Sequence, residues 1–140
     1  MAKPMKVLFV EDDCEDVLLM ETALKTYAEK FSLQVCKNGE EAMKYLHNVE
    51  NPLPDIILLD LNLPKVNGHQ VLQDVKSTPR LKSVPVLVFS TTTDVRDIER
   101  ITPYNGTSFA AKPADFKSYK PVVESMQKIC AAPPDEPSIA

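Results

Sequence analysis

The sequence predicts an α/β protein built on a doubly wound parallel sheet of the (βα)₅ type. Short apolar runs rich in β-branched residues alternate along the chain with longer segments in which apolar residues recur at helical spacing. Strands that alternate with helices form a parallel sheet that helices cover on both faces. A length of 140 residues fits a single domain, which we place at residues 1–131.

Five apolar runs predict the strands. The first, third and fourth are almost uninterrupted, as in KVLFV, IILL and VPVLVF, and this is typical of central strands buried on both faces. The second, FSLQVC, alternates apolar and polar residues and fits a half-buried strand. The predicted strands are residues 6–10, 31–36, 56–59, 84–89 and 108–111.

The segments between these runs predict five helices, at residues 16–29, 40–49, 70–76, 94–101 and 119–130. Asn38 is expected to cap the second helix. Pro121 fits only the first turn of the last helix, where its missing N–H is not needed, so that helix is expected to begin at Ser118. The residues expected to face the core are Val17, Leu18, Met20, Ala23, Leu24 and Tyr27 in the first helix, and Val122, Val123, Met126 and Ile129 in the last.

Charge and composition argue against several classes of protein. The 16 basic and 20 acidic side chains give a net charge of −4, which disfavours nonspecific binding to nucleic acid or to an anionic membrane surface. No apolar run approaches the ~20 residues of a membrane span, and the N-terminus lacks a signal-peptide pattern, so we expect a cytoplasmic protein. The three cysteines, Cys14, Cys36 and Cys130, are widely spaced, which favours reduced thiols over a disulfide or a zinc site. Residues 132–140 are rich in proline, have little to bury, and are expected to form a disordered tail.

Polar residues follow four of the predicted strands at the points where the strands end. Residues 11–13 are all acidic and follow the first strand, and Asp60 follows the third. Ser90 follows the fourth strand and Lys112 follows the fifth. In a doubly wound sheet, ligands bind outside the carboxyl ends of the strands. Each residue alone is weak evidence, but their convergence on one edge predicts a binding site there.

The chemistry of this set points to a metal ion and a phosphoryl group. Asp12, Asp13 and Asp60 carry three negative charges when ionised, and a divalent ion together with Lys112 would balance them. Hard carboxylate oxygens without paired histidine or cysteine favour Mg²⁺. Asp60 ends the run IILL, where an unpaired acid is costly to bury, and carboxylates are known nucleophiles in aspartyl-phosphate formation. Asp16 can serve the start of the first helix, which leaves Asp12 and Asp13 surplus to capping.

Four motifs carry a resemblance to a known family. They are FVEDD at residues 9–13, ILLDLNLPKVNG at 57–68, PVLVFST at 85–91 and FAAKP at 109–113. With these motifs, residues 6–126 resemble the receiver domain of two-component response regulators. The stretches DLNLPKVNG and NVENPLPD further resemble the single-domain regulators paired with phytochrome-type histidine kinases. The resemblance implies a flavodoxin-like fold with strand order 2-1-3-4-5.

The resemblance also implies the roles of the residues around the metal. Asp60 would be the phosphoacceptor. Asp12 and Asp13 would bind Mg²⁺ directly or through water, with Asp60 and the backbone carbonyl of Asn62 as further ligands.

Further roles implied by the resemblance concern the phosphoryl group and the response to it. Ser90 would donate a hydrogen bond to one phosphoryl oxygen, and Lys112 would form an ion pair with another. Phe109 would be the aromatic residue whose rotamer reports activation, and Pro113 would follow Lys112 in a cis peptide. Thr91 departs from the family, in which Ala or Gly is usual at that position.

The function that the resemblance implies is that of a phosphorylation switch and not of a conventional enzyme. A sensor histidine kinase or a phosphotransfer protein would donate the phosphoryl group, and the domain would catalyse only its own phosphorylation and dephosphorylation. Output would come from binding an unknown downstream protein through the surface of helix 4, strand 5 and helix 5, at residues 94–126. The sequence leaves open whether the protein forms a homodimer.

Three other functions compete with this interpretation. A phosphatase of the haloacid-dehalogenase type needs a second Asp two residues after the nucleophile, and Asn62 in that position cannot transfer a proton. An FMN carrier needs a small polar phosphate loop after the first strand, where EDDCED would repel phosphate. A pseudo-receiver that acts only as a binding module would not need the intact acids, Ser90 and Lys112.

Overall fold

A computed structural model of the chain describes residues 4–61, 63, 67–91, 95–101 and 103–131. Within these residues, five strands alternate with five α-helices. The strands are β1 (Met5–Val10), β2 (Phe31–Cys36), β3 (Ile56–Leu59), β4 (Val86–Ser90) and β5 (Thr107–Ala111). The helices are α1 (Cys14–Tyr27), α2 (Gly39–His47), α3 (Gly68–Ser77), α4 (Val95–Ile101) and α5 (Tyr119–Ala131), and a 3₁₀ turn at Phe116–Ser118 leads into α5.

The strands form one parallel sheet in the order β2-β1-β3-β4-β5, so the predicted fold class and strand order are confirmed. The register aligns the carboxyl ends of the strands, because Val10 at the end of β1 lies opposite both Cys36 and Leu59. Backbone pairing continues past the strands, since the N–H of Asp60 donates to the carbonyl of Val10 over 3.2 Å. The residues that follow β1 and β3 therefore lie side by side.

Hydrophobic residues cover both faces of the sheet. On one face, Leu8 and Val10 of β1 belong to a cluster with Val71 and Leu72 of α3. On the other face, residues of β1 with the opposite parity, such as Phe9, pack with α1 and α5. This alternation follows from the pleat of a strand, in which successive side chains point to opposite faces. It also explains why the central strands are continuous apolar runs in the sequence.

Helix α1 differs from its prediction at its start and in the residues that it buries. It begins at Cys14, two residues before the predicted start, and Asp13 is its N-cap, accepting a hydrogen bond from the N–H of Glu15 over 2.9 Å. The prediction that Asp13 is surplus to capping is therefore wrong, because an Asp just before the first helical residue satisfies an N–H that the helix leaves unpaired. Leu18 is 62% exposed although it was expected in the core, since it lies about 200° around the helix from the buried Met20.

Some other helices begin close to where the sequence predicts, and one strand begins later for a local reason. Asn38 caps α2, as predicted, by accepting a hydrogen bond from the N–H of Glu41 over 2.8 Å. Pro121 lies in the first turn of α5. Strand β4 begins at Val86, two residues after its predicted start. Pro85 has no N–H to donate, and its carbonyl accepts from the N–H of Ile57 over 3.0 Å.

Several other predictions meet the structure in part. None of the described residues follows a cis peptide bond, so the predicted cis bond between Lys112 and Pro113 is wrong here, in line with the trans preference of most X–Pro bonds. Asn62, Asp94 and residues 132–140 lie outside the described residues, as do the predictions that concern them. No helix in the described part of the chain is long and apolar enough to cross a membrane.

Candidate functional site

Asp60 lies immediately after β3, at the carboxyl edge of the sheet, and is only 5% exposed. The hydroxyl of Ser90, at the end of β4, donates to one of its carboxylate oxygens over 3.2 Å. The ammonium of Lys112, which follows β5, lies 3.1 Å from the other oxygen. The structure therefore brings together three of the predicted site residues. A buried carboxylate with a donor on each oxygen is held in one orientation.

The start of α3 packs closely against the backbone of Asp60. The N–H of Gly68 donates to the carbonyl of Leu61 over 3.1 Å, and a Cβ at Gly68 would collide with the backbone of Asp60 and Leu61. Asn67 caps α3 through a capping box with Gln70, which fixes where the helix begins. A glycine at this point therefore allows the helix to support the backbone that carries the Asp60 carboxylate.

Two further carboxylates lie beside Asp60. Oxygen atoms of Glu11, Asp12 and Asp60 lie within 4.8 Å of one another. The predicted ligands Asp12 and Asp60 thus come together, whereas Asp13 lies outside this group of oxygen atoms and caps α1. Glu11 was not predicted as a ligand. The register could have indicated it, because Glu11 follows Val10 as Asp60 follows Leu59, and Val10 and Leu59 are paired.

Lys112 lies among three carboxylates. Its ammonium is 2.5 Å from Glu11 Oε1, 2.8 Å from Asp16 Oδ2 and 3.1 Å from Asp60 Oδ2. The Lys112 side chain is only 7% exposed, and the backbone N–H of Lys112 donates to the carbonyl of Ser90 over 3.0 Å. Asp16 is a second site residue that the sequence interpretation missed. It lies in the first turn of α1, where an acid is also expected for its interaction with the helix dipole.

The electrostatics of the site reflect its burial and its crowding. Burial raises the pKa of Glu11 to about 7; the hydrogen bond with Lys112 opposes this shift, and the negative charge of Asp60 adds to it. Burial lowers the pKa of Lys112, but its hydrogen bonds to Asp16, Glu11 and Asp60 outweigh that effect and raise the pKa overall. Lys112 therefore keeps its positive charge, while Glu11 is a carboxylate whose ionised form needs further positive charge.

The donor set suits a hard divalent cation. Glu11, Asp12 and Asp60 supply oxygen atoms only, and Mg²⁺ and Mn²⁺ are bound by carboxylates, carbonyls and water. Asp12 is exposed whereas Glu11 and Asp60 are buried, so the group opens to solvent on one side. This arrangement fits an ion that keeps some of its water and binds a ligand oxygen from outside.

The predicted switch residue Phe109 lies further from the edge of the sheet. It is half-buried on β5, opposite Val88 of β4, and packs against the hydrophobic cluster that includes α3. Ser90 lies two residues after Val88, opposite Ala111, so β4 and β5 join the site to the position of Phe109. Thr91, the residue that departs from the family, is exposed.

Comparison with known proteins gives consistent matches over this fold and site. The family described as the response regulator receiver domain matches residues 7–124. The chain is 34% identical over 128 residues to the response regulator Rcp1 of Synechocystis, and the alignment covers 89% of this chain and 87% of Rcp1.

Solved structures show the same likeness. The Mn²⁺-bound form of Rcp1 has a TM-score of 0.80 and 32% identity, covering 89% of this chain and 93% of that one. The phosphorylated cyanobacterial phytochrome response regulator RcpA has a TM-score of 0.81 and 33% identity, covering 90% and 93%. One of these relatives thus holds a divalent metal ion, and the other carries a phosphoryl group.

Proposed function

The chain belongs to the response regulator receiver domain family of two-component signalling, and on that premise we propose that Asp60 is the residue on which it accepts a phosphoryl group. The observation that carries the proposal is the position of the Asp60 carboxylate. It is buried at the carboxyl edge of the sheet, with donors from Ser90 and Lys112 and with two further carboxylates beside it. A donor on each carboxylate oxygen fixes the orientation of this nucleophile.

Phosphoryl transfer to Asp60 needs a nucleophile, an anchor for the phosphoryl oxygens and a leaving group. One carboxylate oxygen of Asp60 attacks phosphorus and forms an O–P bond, while the bond from phosphorus to the donor breaks and its electron pair stays with the donor, which takes up a proton. Lys112 and Ser90 already donate to Asp60, and we expect their N–H and O–H groups to contact phosphoryl oxygens. Phosphoryl transfer requires little covalent chemistry from a protein, so positioning the reacting groups is most of what the protein contributes to the reaction.

Receiver domains bind a divalent metal ion, and we take the ion in this chain to be Mg²⁺. Asp12, Asp60 and Glu11 would hold it, because their oxygens converge, and the backbone carbonyl of Asn62 remains a predicted ligand. A bound divalent ion offsets negative charge on the carboxylates and on the phosphoryl oxygens. We assign Asp13 to capping α1, in place of its predicted role as a ligand.

The partners follow from the relatives. RcpA is a phosphorylated phytochrome response regulator. We propose that this chain receives its phosphoryl group from a histidine kinase or a phosphotransfer protein. Leu18 and Leu19, which are 62% and 37% exposed, lie on the helix that begins beside the site and offer apolar surface to such a donor. Output would pass through the surface formed by α4, β5 and α5 to a downstream protein.

The competing functions gain no support from the comparisons. The family match covers the motifs on which the haloacid-dehalogenase and FMN-carrier hypotheses depend, and it favours neither of them. A pseudo-receiver would conserve the fold without the chemistry. The buried acid group with Ser90 and Lys112 argues for a domain that is phosphorylated and that catalyses only its own phosphorylation and dephosphorylation.

A phosphorylation assay tests the proposal. Purified protein is incubated with acetyl phosphate in Mg²⁺ or in EDTA, and its intact mass is measured. We expect the mass of one phosphoryl group to be added in Mg²⁺ but not in EDTA, and not to Asp60→Asn. Labelling of Asp60→Asn to the level of the wild type would contradict the assignment, and a wild type that stays unlabelled with any small phosphodonor would favour the pseudo-receiver.

A further inference from the structure

We infer that Asp16 is a positioning residue that restrains Lys112 and thereby weakens the hold of the site on a phosphoryl group. The inference rests on the proposed function, because it concerns the same Lys112 ammonium that would contact the phosphoryl oxygens. Asp16 would act through Lys112 and not on the reacting atoms.

The contacts of Lys112 favour Asp16 over the phosphoacceptor. The ammonium lies 2.5 Å from Glu11 and 2.8 Å from Asp16, but 3.1 Å from Asp60. The side chains of Lys112 and Asp16 are 7% and 21% exposed, so solvent screens this ion pair less than one on the surface. The pair also joins two distant parts of the chain, the first turn of α1 and the residue that follows β5.

The negative charge of Asp16 exceeds what the positive charges at the site can balance. Glu11, Asp12, Asp16 and Asp60 carry four negative charges when ionised, whereas Lys112 and one divalent ion supply three positive charges. A phosphoryl group brings about −1.5 to −2 more. The carboxylate of Asp16 therefore repels the incoming group and also competes with it for the ammonium. The negative charge of Asp16 also attracts a divalent cation. Without that charge, Lys112 would move closer to the metal-binding carboxylates and repel the cation.

These two effects have opposite signs, which separates them from simple damage to the fold. Removing the charge of Asp16 should strengthen binding of a phosphoryl analogue and weaken binding of Mg²⁺. A loss of structure would weaken both. Asp16 has little separate role in holding α1, because Asp13 caps the helix and Glu15 supplies a second acid in its first turn.

The test uses the full chain and beryllofluoride, which mimics a phosphoryl group on a carboxylate. Beryllofluoride affinity at saturating Mg²⁺ is measured by ¹⁹F NMR, and Mg²⁺ affinity without beryllofluoride is measured by calorimetry. Asp16→Asn keeps an oxygen acceptor for Lys112 but removes the charge. Glu15→Gln is the matched control, because it removes an equal charge one residue away on an exposed side chain.

For Asp16→Asn we expect beryllofluoride to bind about fivefold more tightly and Mg²⁺ about threefold more weakly, as fits the loss of one partly buried ion pair. Glu15→Gln should change each affinity by less than half as much on a logarithmic scale. Equal effects of the two variants, or a loss of both affinities in Asp16→Asn, would overturn the inference and leave the proposed function intact. A wild type that binds no more beryllofluoride than Asp60→Asn would overturn the proposed function, and the inference with it.

Discussion

At the scale of single residues, the least expected feature of the site is Glu11. Its side chain is 1% exposed, and its carboxylate touches the ammonium of Lys112 while lying beside Asp12 and Asp60. Lys112, and a metal ion in the proposed function, compensate the negative charge of this glutamate at the end of an apolar strand. A buried acid of this kind links the stability of the fold to pH and to metal binding.

Glu11 should make the protein less stable as the pH rises. Its pKa is about 7 in the folded protein, raised by burial above the ordinary value of 4.5. Between pH 4.5 and pH 7 the unfolded chain has released this proton, whereas the folded chain still holds it. The free energy of unfolding should therefore fall as the pH rises across this window, by at most about 3 kcal/mol. We expect urea unfolding in EDTA to show this fall, which Mg²⁺ should reduce.

Glu11→Gln is the control for that prediction. The amide can still accept a hydrogen bond from Lys112 but does not titrate, so the stability of the variant should vary less between pH 4.5 and 7 than that of the wild type. An unchanged pH profile in the variant would mean that another group is responsible.

At the scale of elements, the close packing of α3 on the strand that carries Asp60 is the feature most sensitive to mutation. Gly68→Ala places a Cβ against the backbone of Asp60 and Leu61, which cannot move as a flexible side chain does. We expect the free energy of unfolding to fall by about 2 kcal/mol. Because the backbone of Asp60 must shift, phosphorylation by acetyl phosphate should also slow markedly.

Asn67→Ala distinguishes this close approach from a general weakening of α3. The substitution removes the N-cap and should cost about 1 kcal/mol of stability, but it adds no atom near Asp60. Its phosphorylation rate should therefore stay close to that of the wild type. If both variants slow phosphorylation equally, the stability of the helix matters and not the space at Gly68.

Tyr119, the first residue of α5, is a position where a substitution should not destabilise the fold. The hydroxyl of Tyr119 is buried and has no hydrogen-bond partner among the described residues, while its ring packs against Phe89 and Phe116. Burial, and after it the negative charge of Asp16, raises the pKa of Tyr119. Tyr119→Phe keeps the ring packing and removes the unpaired hydroxyl, so it should leave the free energy of unfolding unchanged or raise it by about 1 kcal/mol. If urea unfolding shows that the variant is instead less stable by more than about 1 kcal/mol, the hydroxyl forms a hydrogen bond in solution.

At the scale of the whole molecule, the sheet was predictable because its central strands are buried on both faces. That burial leaves continuous apolar runs in the sequence, and the polar residues that end them mark one edge. The exact acids were harder to predict. The sequence contains three adjacent acids, and only the register, with Val10 opposite Leu59, places Glu11 and not Asp13 beside Asp60. Asp16 was missed because its ion pair with Lys112 joins residues 96 positions apart.

Transmission of phosphorylation through the fold stays a prediction. A phosphoryl group would draw the Ser90 hydroxyl towards it. This movement would change how β4 packs against the half-buried Phe109, which lies on β5 opposite Val88. Phosphorylation should therefore change amide exchange in α4 and β5 of the wild type. Ser90→Ala should still be phosphorylated but lack that change in exchange. If the variant shows the same exchange change as the wild type, the coupling does not run through Ser90, and either Lys112 or residues 64–68 would have to carry it.

The central claim is that the phosphoryl group is attached to Asp60 and not to one of the other aspartates around it. Borohydride reduction converts an aspartyl-phosphate to homoserine, so reduction of the phosphorylated protein followed by peptide mass spectrometry locates the modified residue. We predict homoserine at position 60 in Mg²⁺ and at no position in EDTA. Homoserine at Asp12, Asp13 or Asp16 in place of Asp60 would contradict the account.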